Sequence, residues 1–267
     1  MAAPAPAEVI ATERWPARAG LRQLSPVRIL IALAAGLLVA EVIISFTLIR
    51  DAGELWIDYT FYRQVGARWL ADGAYYLPHQ LTGVSYGIVP MRDVLYPPTA
   101  LFLFVPLTVV PALVWWIVPV GVLIGTTWLW RPRPLALLGM LVLLMWPRAE
   151  SAFIFGNSDM WMAAGIAAGL RWGWPALLLV LKPIFLPLAA LGAGRVSWWV
   201  GAGMIVVVSL AMLPLWSQYI VAMRSLRIGL DYSLGSLPLL LVPITAWLGR
   251  DRTRDAVPPT AEAAPHP

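Results

Sequence analysis

The 267-residue chain is 60% hydrophobic and only 12% charged, with a mean hydropathy of +0.75. Soluble domains carry about 25% charged residues, so a soluble enzyme, a disulfide scaffold and a disordered protein are all excluded, and a polytopic membrane protein remains. The net charge of +5 comes from 18 arginines and one lysine against 14 acids, a balance suited to loops beside anionic lipid and not to nucleic acid. With no cysteine, thiolate chemistry is absent.

Residues 1–27 are rich in Ala and Pro and carry Arg14, Arg18 and Arg22, reading as a cytoplasmic tail. The apolar run 29–49 is too long for a cleaved signal peptide and reaches about 30 Å as a helix. It reads as the first span. Residues 50–97 form the only long polar stretch, with Asp51, Glu54, Asp58, Asp72 and Asp93. Such a loop exceeds the length of a simple connector. Within it Tyr59, Tyr62, Gly66 and Trp69 recur at helical spacing before Gly73, which predicts an amphipathic helix on the outer membrane surface with a glycine C-cap.

The remainder alternates apolar runs with arginine-bearing turns: 98–130, 134–147, 158–170, 173–194, 196–216 and 235–249. Keeping 98–109 at the outer surface and folding 173–194 into a re-entrant hairpin, with Lys182 near its tip, leaves eleven arginines inside and three outside beyond the long loop. The positive-inside rule favours that arrangement over a full span at 173–194. The expected fold is therefore an all-α membrane bundle of about six full spans plus a re-entrant hairpin. Both termini are expected to be cytoplasmic, with residues 28–250 as one transmembrane domain and 251–267 as a disordered tail.

This topology gathers Asp58, Arg63, Arg68, His79, Arg92, Asp93, Tyr96, Glu150, Asn157, Asp159 and Lys182 at the outer face. Acids and bases together there suit a charged amphiphile, since arginine or lysine binds a lipid phosphate and a carboxylate can deprotonate a sugar hydroxyl. Each candidate also has a plainer reading. Asp58 and Asp159 stand where helix N-caps would. Arg92 and Asp93 could be an exposed ion pair before a proline-led helix, and His79 an ordinary loop histidine. Lys182 is harder to explain away, because a lone lysine in an apolar run needs a partner or water unless it snorkels. Gly121/Gly125 and Gly165/Gly169 read as helix-packing pairs, and Glu41 should face the bundle interior. No metal-ligand cluster, phosphate-binding glycine loop or Ser/His/Asp arrangement is present.

Asp58-Tyr59-x-x-Tyr62 is followed by Leu70-x-x-Gly73-x-Tyr75, then by Leu95-Tyr96-Pro97-Pro98 heading a stretch that ends in Val109-Val110-Pro111. Pro147, Gly156-Asn157 and Leu181-Lys182-Pro183 complete the order. Over residues 50–195 this resembles the glycosyltransferase family 87 type of polyprenyl-phosphate-dependent membrane glycosyltransferases of the GT-C fold, many of them mannosyltransferases. Gly156-Asn157 stands where the family usually carries Gly-Gln, and the chain is shorter than family members at its C-terminal side.

The resemblance implies a multi-pass protein of the cell membrane, such as a bacterial plasma membrane. There it would move a hexose, mannose above all, from a polyprenyl-phosphate carrier to a lipid or glycan acceptor on the outer face, without a cofactor. It implies that Asp58 is the general base and that the Tyr-Pro-Pro helix and Lys-Pro hairpin help to form the cavity. From charge, Arg92 and Lys182 are assigned to the donor phosphate. The remaining candidates for substrate binding are Arg63, His79, Asp93, Tyr96, Asn157 and Asp159. An alternative is a non-catalytic polyprenyl-lipid-binding or accessory subunit of a cell-envelope complex, with a membrane-protein partner. A lipid or sugar transporter ranks last, since no internal repeat is visible. In a chain without cysteine, a cysteine introduced at position 58 is expected to react with an impermeant reagent in intact cells, and one at position 133 is not.

Overall fold

A computed structural model describes residues 25–89, 92–226 and 234–252. Most of the N-terminal tail, most of the C-terminal tail and Arg227 lie outside the described residues. The described chain is helical, and pairing is confined there to two isolated bridges, Tyr86 with Leu226 and Pro132 with Arg250.

Helix α1 (Pro26–Asp51) starts with proline at its first turn, where a missing N–H costs nothing, and buries only Ala34. It packs on α4 (Pro134–Leu144) and α5 (Pro147–Phe155) and otherwise presents apolar side chains outward, Leu33, Leu37 and Ile43 among them. α1 and α3 (Ala112–Trp130) are long and apolar enough to cross a membrane. Two bent pairs raise the number to as many as four: α4 with α5, turned by 69°, and α7 (Val196–Ala211) with α8 (Leu213–Ser225), turned by 85°. The expectation of six full spans is thus met by two to four candidates among the described residues. Proline is the physical reason. It lacks the donor that continues a helix, and Pro134, Pro147 and Pro214 each open a new helix after a break. The run at 235–249 becomes α9 (Leu237–Leu248), only 12 residues long and with Pro243 inside it.

The centre is α6 (Asp159–Trp172), which buries every residue from Asp159 to Gly169 except Trp161. Its small residues allow that. A Cβ added at Gly165 would fall 2.8 Å from the Pro175 carbonyl oxygen, and one at Gly169 would fall 2.5 Å from the Ala176 Cβ. The neighbouring backbone of 174–181 therefore lies directly on α6. The other small-residue pair behaves differently: Gly121 and Gly125 meet nothing within 4 Å, so their expected role in helix packing is not seen.

Residues 174–192 leave and return. Short 3₁₀ segments (Trp174–Leu181 and Pro183–Phe185) flank Lys182. Lys182 takes the extended conformation that a following proline favours (φ −131°, ψ 95°). The neck is closed by two glycines in contact, Gly173 and Gly192, with an added Cβ at Gly173 only 3.2 Å from the Gly192 carbonyl oxygen. The segment thus has the shape of a hairpin with Lys182 midway.

Helix α2 (Ile57–Asp72) ends at Gly73 in the left-handed conformation (φ 71°), whose N–H donates to the Trp69 carbonyl, as the glycine spacing predicts. Its apolar face is not laid on lipid as expected for an amphipathic surface helix. Tyr59, Tyr62, Val65 and Gly66 are buried against protein, chiefly the 98–108 segment and the tryptophans of α3. Gly66 is the point of closest approach, since a Cβ there would fall 2.5 Å from the Phe104 carbonyl oxygen. Backbone cannot yield as a side-chain tip does, so Gly66→Ala is expected to destabilise the fold by roughly 1–3 kcal/mol. Thermal unfolding in detergent, with Gly36→Ala in open space as the control, checks it.

Candidate functional site

The site is assembled from α2, the Tyr96-Pro97 turn, the α5–α6 junction and the hairpin. At the junction Gly156 ends α5 in the left-handed conformation (φ 73°), with an added Cβ only 2.7 Å from Trp116 and 3.0 Å from Tyr59. Only glycine fits both constraints. The tryptophans of α3 hold this turn, Trp115 Nε1 donating to the Gly156 carbonyl at 2.8 Å and Trp116 Nε1 to that of Phe153 at 2.7 Å.

So fixed, Asn157 uses both ends of its amide. Its Oδ1 accepts from the Asp159 N–H at 3.0 Å, and its Nδ2 donates to Asp58 Oδ2 at 2.6 Å. Asp58 is the second residue of α2, after Trp56 in the N-cap position at a positive φ of 61°. Its carboxylate therefore faces Asn157 and does not cap its own helix. Asp159 likewise spends its side chain elsewhere: Lys182 Nζ donates to its Oδ1 at 2.5 Å, with side-chain exposures of 13% and 1%. Snorkelling does not describe Lys182, and capping does not describe Asp159.

Beneath this pair runs a chain of hydroxyls. Tyr62 and Tyr96 share a hydrogen bond of 2.6 Å, Tyr96 meets Ser158 Oγ at 3.0 Å, and the Ser158 N–H donates to the Tyr62 oxygen at 3.4 Å. Burial pushes the Tyr96 phenol up to about 12, partly offset by Lys182. The phenol stays neutral and keeps a proton to donate. Burial also raises the Asp58 pKa, against the Asn157 hydrogen bond and the positive charges of Lys182 and Arg148, while Asp159 adds to the rise. Asp58, Asn157, Asp159, Lys182 and Arg148 thus act on one another as a single electrostatic group. Arg148 was counted by sequence reasoning only as an outer arginine. Its place directly after Pro147, at the start of the helix that leads to Gly156, is the signal that could have marked it.

The loop 73–97 places Tyr96 but keeps several candidates apart from this group. Tyr75 and Tyr76 donate to the Pro97 and Tyr96 carbonyls at 3.1 and 2.8 Å, and Arg68 donates to the Ala74 and Tyr75 carbonyls. Fully buried Gln80 accepts from the N–H groups of Leu77 and Val94 and donates to the Val94 carbonyl. His79 bonds Asp93 at 2.6 Å, and Asp93 also accepts from the Val89 N–H at 2.8 Å. His79 and Asp93 are therefore partners within the loop. The structure pairs Asp93 with His79 and leaves Arg92 exposed; Arg63 is exposed on the outer side of α2. Glu150 faces Glu41 and Ser45 of α1, which agrees with Glu41 pointing into the bundle. Among the described residues no three His, Cys, Asp or Glu side chains converge as metal ligands would.

Beside the charged group lies an apolar cavity of about 360 Å³ between the 98–104 segment, the hairpin and α7, lined by Thr99, Phe102, Leu103, Leu178, Leu181 and Met204 among others. Leu181 directly precedes Lys182 and Thr99 follows Tyr96 by three residues, so two walls of the cavity continue in the chain into the segments that carry the polar cluster. The Thr99 hydroxyl is buried without a partner.

Comparison with known proteins finds no family, no curated relative and no solved structure that matches this chain.

Removing one member of a buried ion pair leaves the other uncompensated, at a cost of about 3–5 kcal/mol. Lys182→Met is expected to lower stability by that order, and adding Asp159→Asn should recover much of the loss. Denaturant unfolding of the single and double variants measures both.

Proposed function

We propose that the chain is an inverting glycosyltransferase that moves a hexose from a polyprenyl-phosphate carrier to an acceptor hydroxyl, with Asp58 as the base. The observation that carries the reading is the convergence of Asp58, Asn157, Asp159, Lys182 and Tyr96, which come from four separate elements and include the ordered motif residues. The apolar cavity beside them suits the tail of an amphiphilic donor, as ligand sites combine apolar walls with a few placed polar groups.

In the reaction the Asp58 carboxylate takes the acceptor hydroxyl proton as that oxygen attacks the anomeric carbon. The bond from that carbon to the phosphate oxygen breaks, and its electron pair leaves with the lipid phosphate. A single displacement inverts the centre. Lipid phosphate is already a good leaving group, so the carboxyl acid used by glycoside hydrolases has no counterpart here. Asp159 already engages Lys182, so Lys182 and Arg148 together offset two carboxylates. When Asp58 takes the proton, one positive charge is released to stabilise the departing phosphate. Asn157 aligns Asp58 and favours its ionised form.

A raised carboxyl pKa has two consequences. Catalytically, proton affinity is brought closer to working pH, so kcat/KM should rise with pH along an acid limb above the usual aspartate range of about 3.9. Asn157→Ala removes a bond to the carboxylate and should move that limb to higher pH. For stability, a folded-state pKa above the unfolded value means that stability is lost as pH rises through the folded pKa, so ionised Asp58 weakens the fold at neutral pH. Asp58→Asn should therefore abolish transfer while leaving the melting temperature equal or higher. The assay is transfer of label from polyprenyl-phospho-mannose into a host lipid and glycan extract. Transfer by Asp58→Asn at wild-type rate overturns the base assignment. Binding of polyprenyl phosphate by both proteins without transfer by either supports the accessory-subunit alternative.

A further inference from the structure

A second apolar cavity, of about 660 Å³, lies between α3, α4 and α9, with Phe153 of α5 also on its wall, and none of Asp58, Asn157, Asp159 or Lys182 lines it. Its walls follow helical periodicity. Val120, Ile124, Thr127 and Arg131 line it from α3, Leu137, Met140 and Leu144 from α4, and Leu239 and Val242 from α9. The cavity is thus a groove running along the helix axes. From Val120 to Arg131 it rises by eleven residue steps, about 17 Å at 1.5 Å per residue. That is close to half of a hydrocarbon core roughly 30 Å thick, the depth of one leaflet.

One end of the groove is cationic. Arg131 lines it and follows the last residue of α3 in the left-handed conformation (φ 46°, ψ 62°), uncommon for a residue with a Cβ. The turn is held by the Arg131 N–H on the Thr127 carbonyl at 3.0 Å and by the Arg133 N–H on the Gly249 carbonyl at 2.9 Å. Pro132 pairs with Arg250, which brings a third arginine to the same end. The Arg250 guanidinium lies 4.4 Å from the centre of the Trp247 ring. Trp128, 74% exposed, flanks the mouth. Tryptophans and arginines at one level mark the headgroup region of a bilayer, and basic pockets between membrane helices bind anionic head groups.

We propose that this groove is a binding site for an anionic diacyl phospholipid. One acyl chain lies along α3 against α4 and α9, and the phosphate meets Arg131, with Arg133 and Arg250 adding charge at the headgroup. The length of one leaflet with a cation at one end only matches a phospholipid, whereas a docked protein helix would call for an apolar surface along its whole face. The site is independent of Asp58 and of sugar transfer.

The test uses the full-length protein in detergent with added phosphatidylglycerol or phosphatidylcholine of the same acyl chains. Native mass spectrometry reads bound lipid and tryptophan fluorescence reads thermal unfolding. Phosphatidylglycerol is expected to be retained in preference and to raise the melting temperature. Arg131→Gln should weaken that retention roughly fivefold, the order expected for one basic group at an anionic headgroup, without changing retention of phosphatidylcholine. Arg131→Gly relaxes the left-handed turn while removing the charge. It should melt at or above the wild-type temperature without lipid and show a phosphatidylglycerol preference weakened to the same extent as in Arg131→Gln. Met140→Trp fills the groove and should reduce retention of both lipids with Arg131 intact. Equal retention of the two lipids by the wild type, or an unchanged preference in Arg131→Gly, overturns the proposal.

Discussion

The ion pair between Asp159 and Lys182 is the constraint on which the site depends. Two charges removed from water are tolerated only when each meets the other in good geometry, and here they do so at the centre of the bundle. Asp159 opens the most deeply buried helix, and Lys182 stands midway along a hairpin pressed onto that helix through Gly165 and Gly169. Because Asp159 offsets much of what Lys182 does, the charge of Asp58 beside the pair is opposed chiefly by the Asn157 amide, with smaller help from Lys182 and Arg148. That leaves its carboxyl desolvated enough to hold a proton more tightly than an exposed aspartate. Loosening the hairpin would alter the proton affinity of Asp58 without touching its carboxyl.

Aromatic packing supplies the rigidity this arrangement requires. Tyr62 is stacked on Phe104 with ring centres 4.5 Å apart, Trp115 packs between Tyr62 and Trp161, and the indoles of Trp115 and Trp116 tie down the carbonyls of Gly156 and Phe153. Most of these side chains carry a polar handle whose partner is a backbone carbonyl or another hydroxyl. The buried polar groups of the site are thus largely satisfied by one another, as interiors require. The loop tyrosines extend the same principle outward to the Tyr96 turn.

What the sequence makes legible is local, or concerns a conflict that must be resolved. The spacing of Tyr59, Tyr62 and Gly66 before Gly73 foretells α2 and its cap, because both obey helix geometry. Lys182 announces a buried partner, because an unpaired charge in an apolar run is untenable. The identity of that partner was not legible: Asp159 reads equally well as a cap, and only the hairpin brings Lys182 to it. The same holds for Asn157 and Asp58. Arg63, His79, Arg92 and Asp93 fall near the site in a linear reading, yet His79 turns to Asp93 and the two arginines point outward, because the loop folds on its own buried tyrosines and Gln80. The span count read from apolar length exceeds the two to four candidates among the described residues, where Pro134, Pro147 and Pro214 open new helices. Gly121 and Gly125 show the complementary error, a packing pattern without a neighbour.

The hydrogen bond between Asn157 and Asp58 joins residues 99 positions apart, and this separation bears on how the protein is made. Contacts distant in sequence form only after loop closure between their ends. During synthesis Asp58 emerges long before Asn157, and Lys182 follows later still. Through that interval the aspartate lacks the burial that raises its proton affinity and behaves as an ordinary surface carboxylate. Its raised proton affinity is therefore acquired when the bundle closes, so a nascent or partly inserted chain carries the residue without that property.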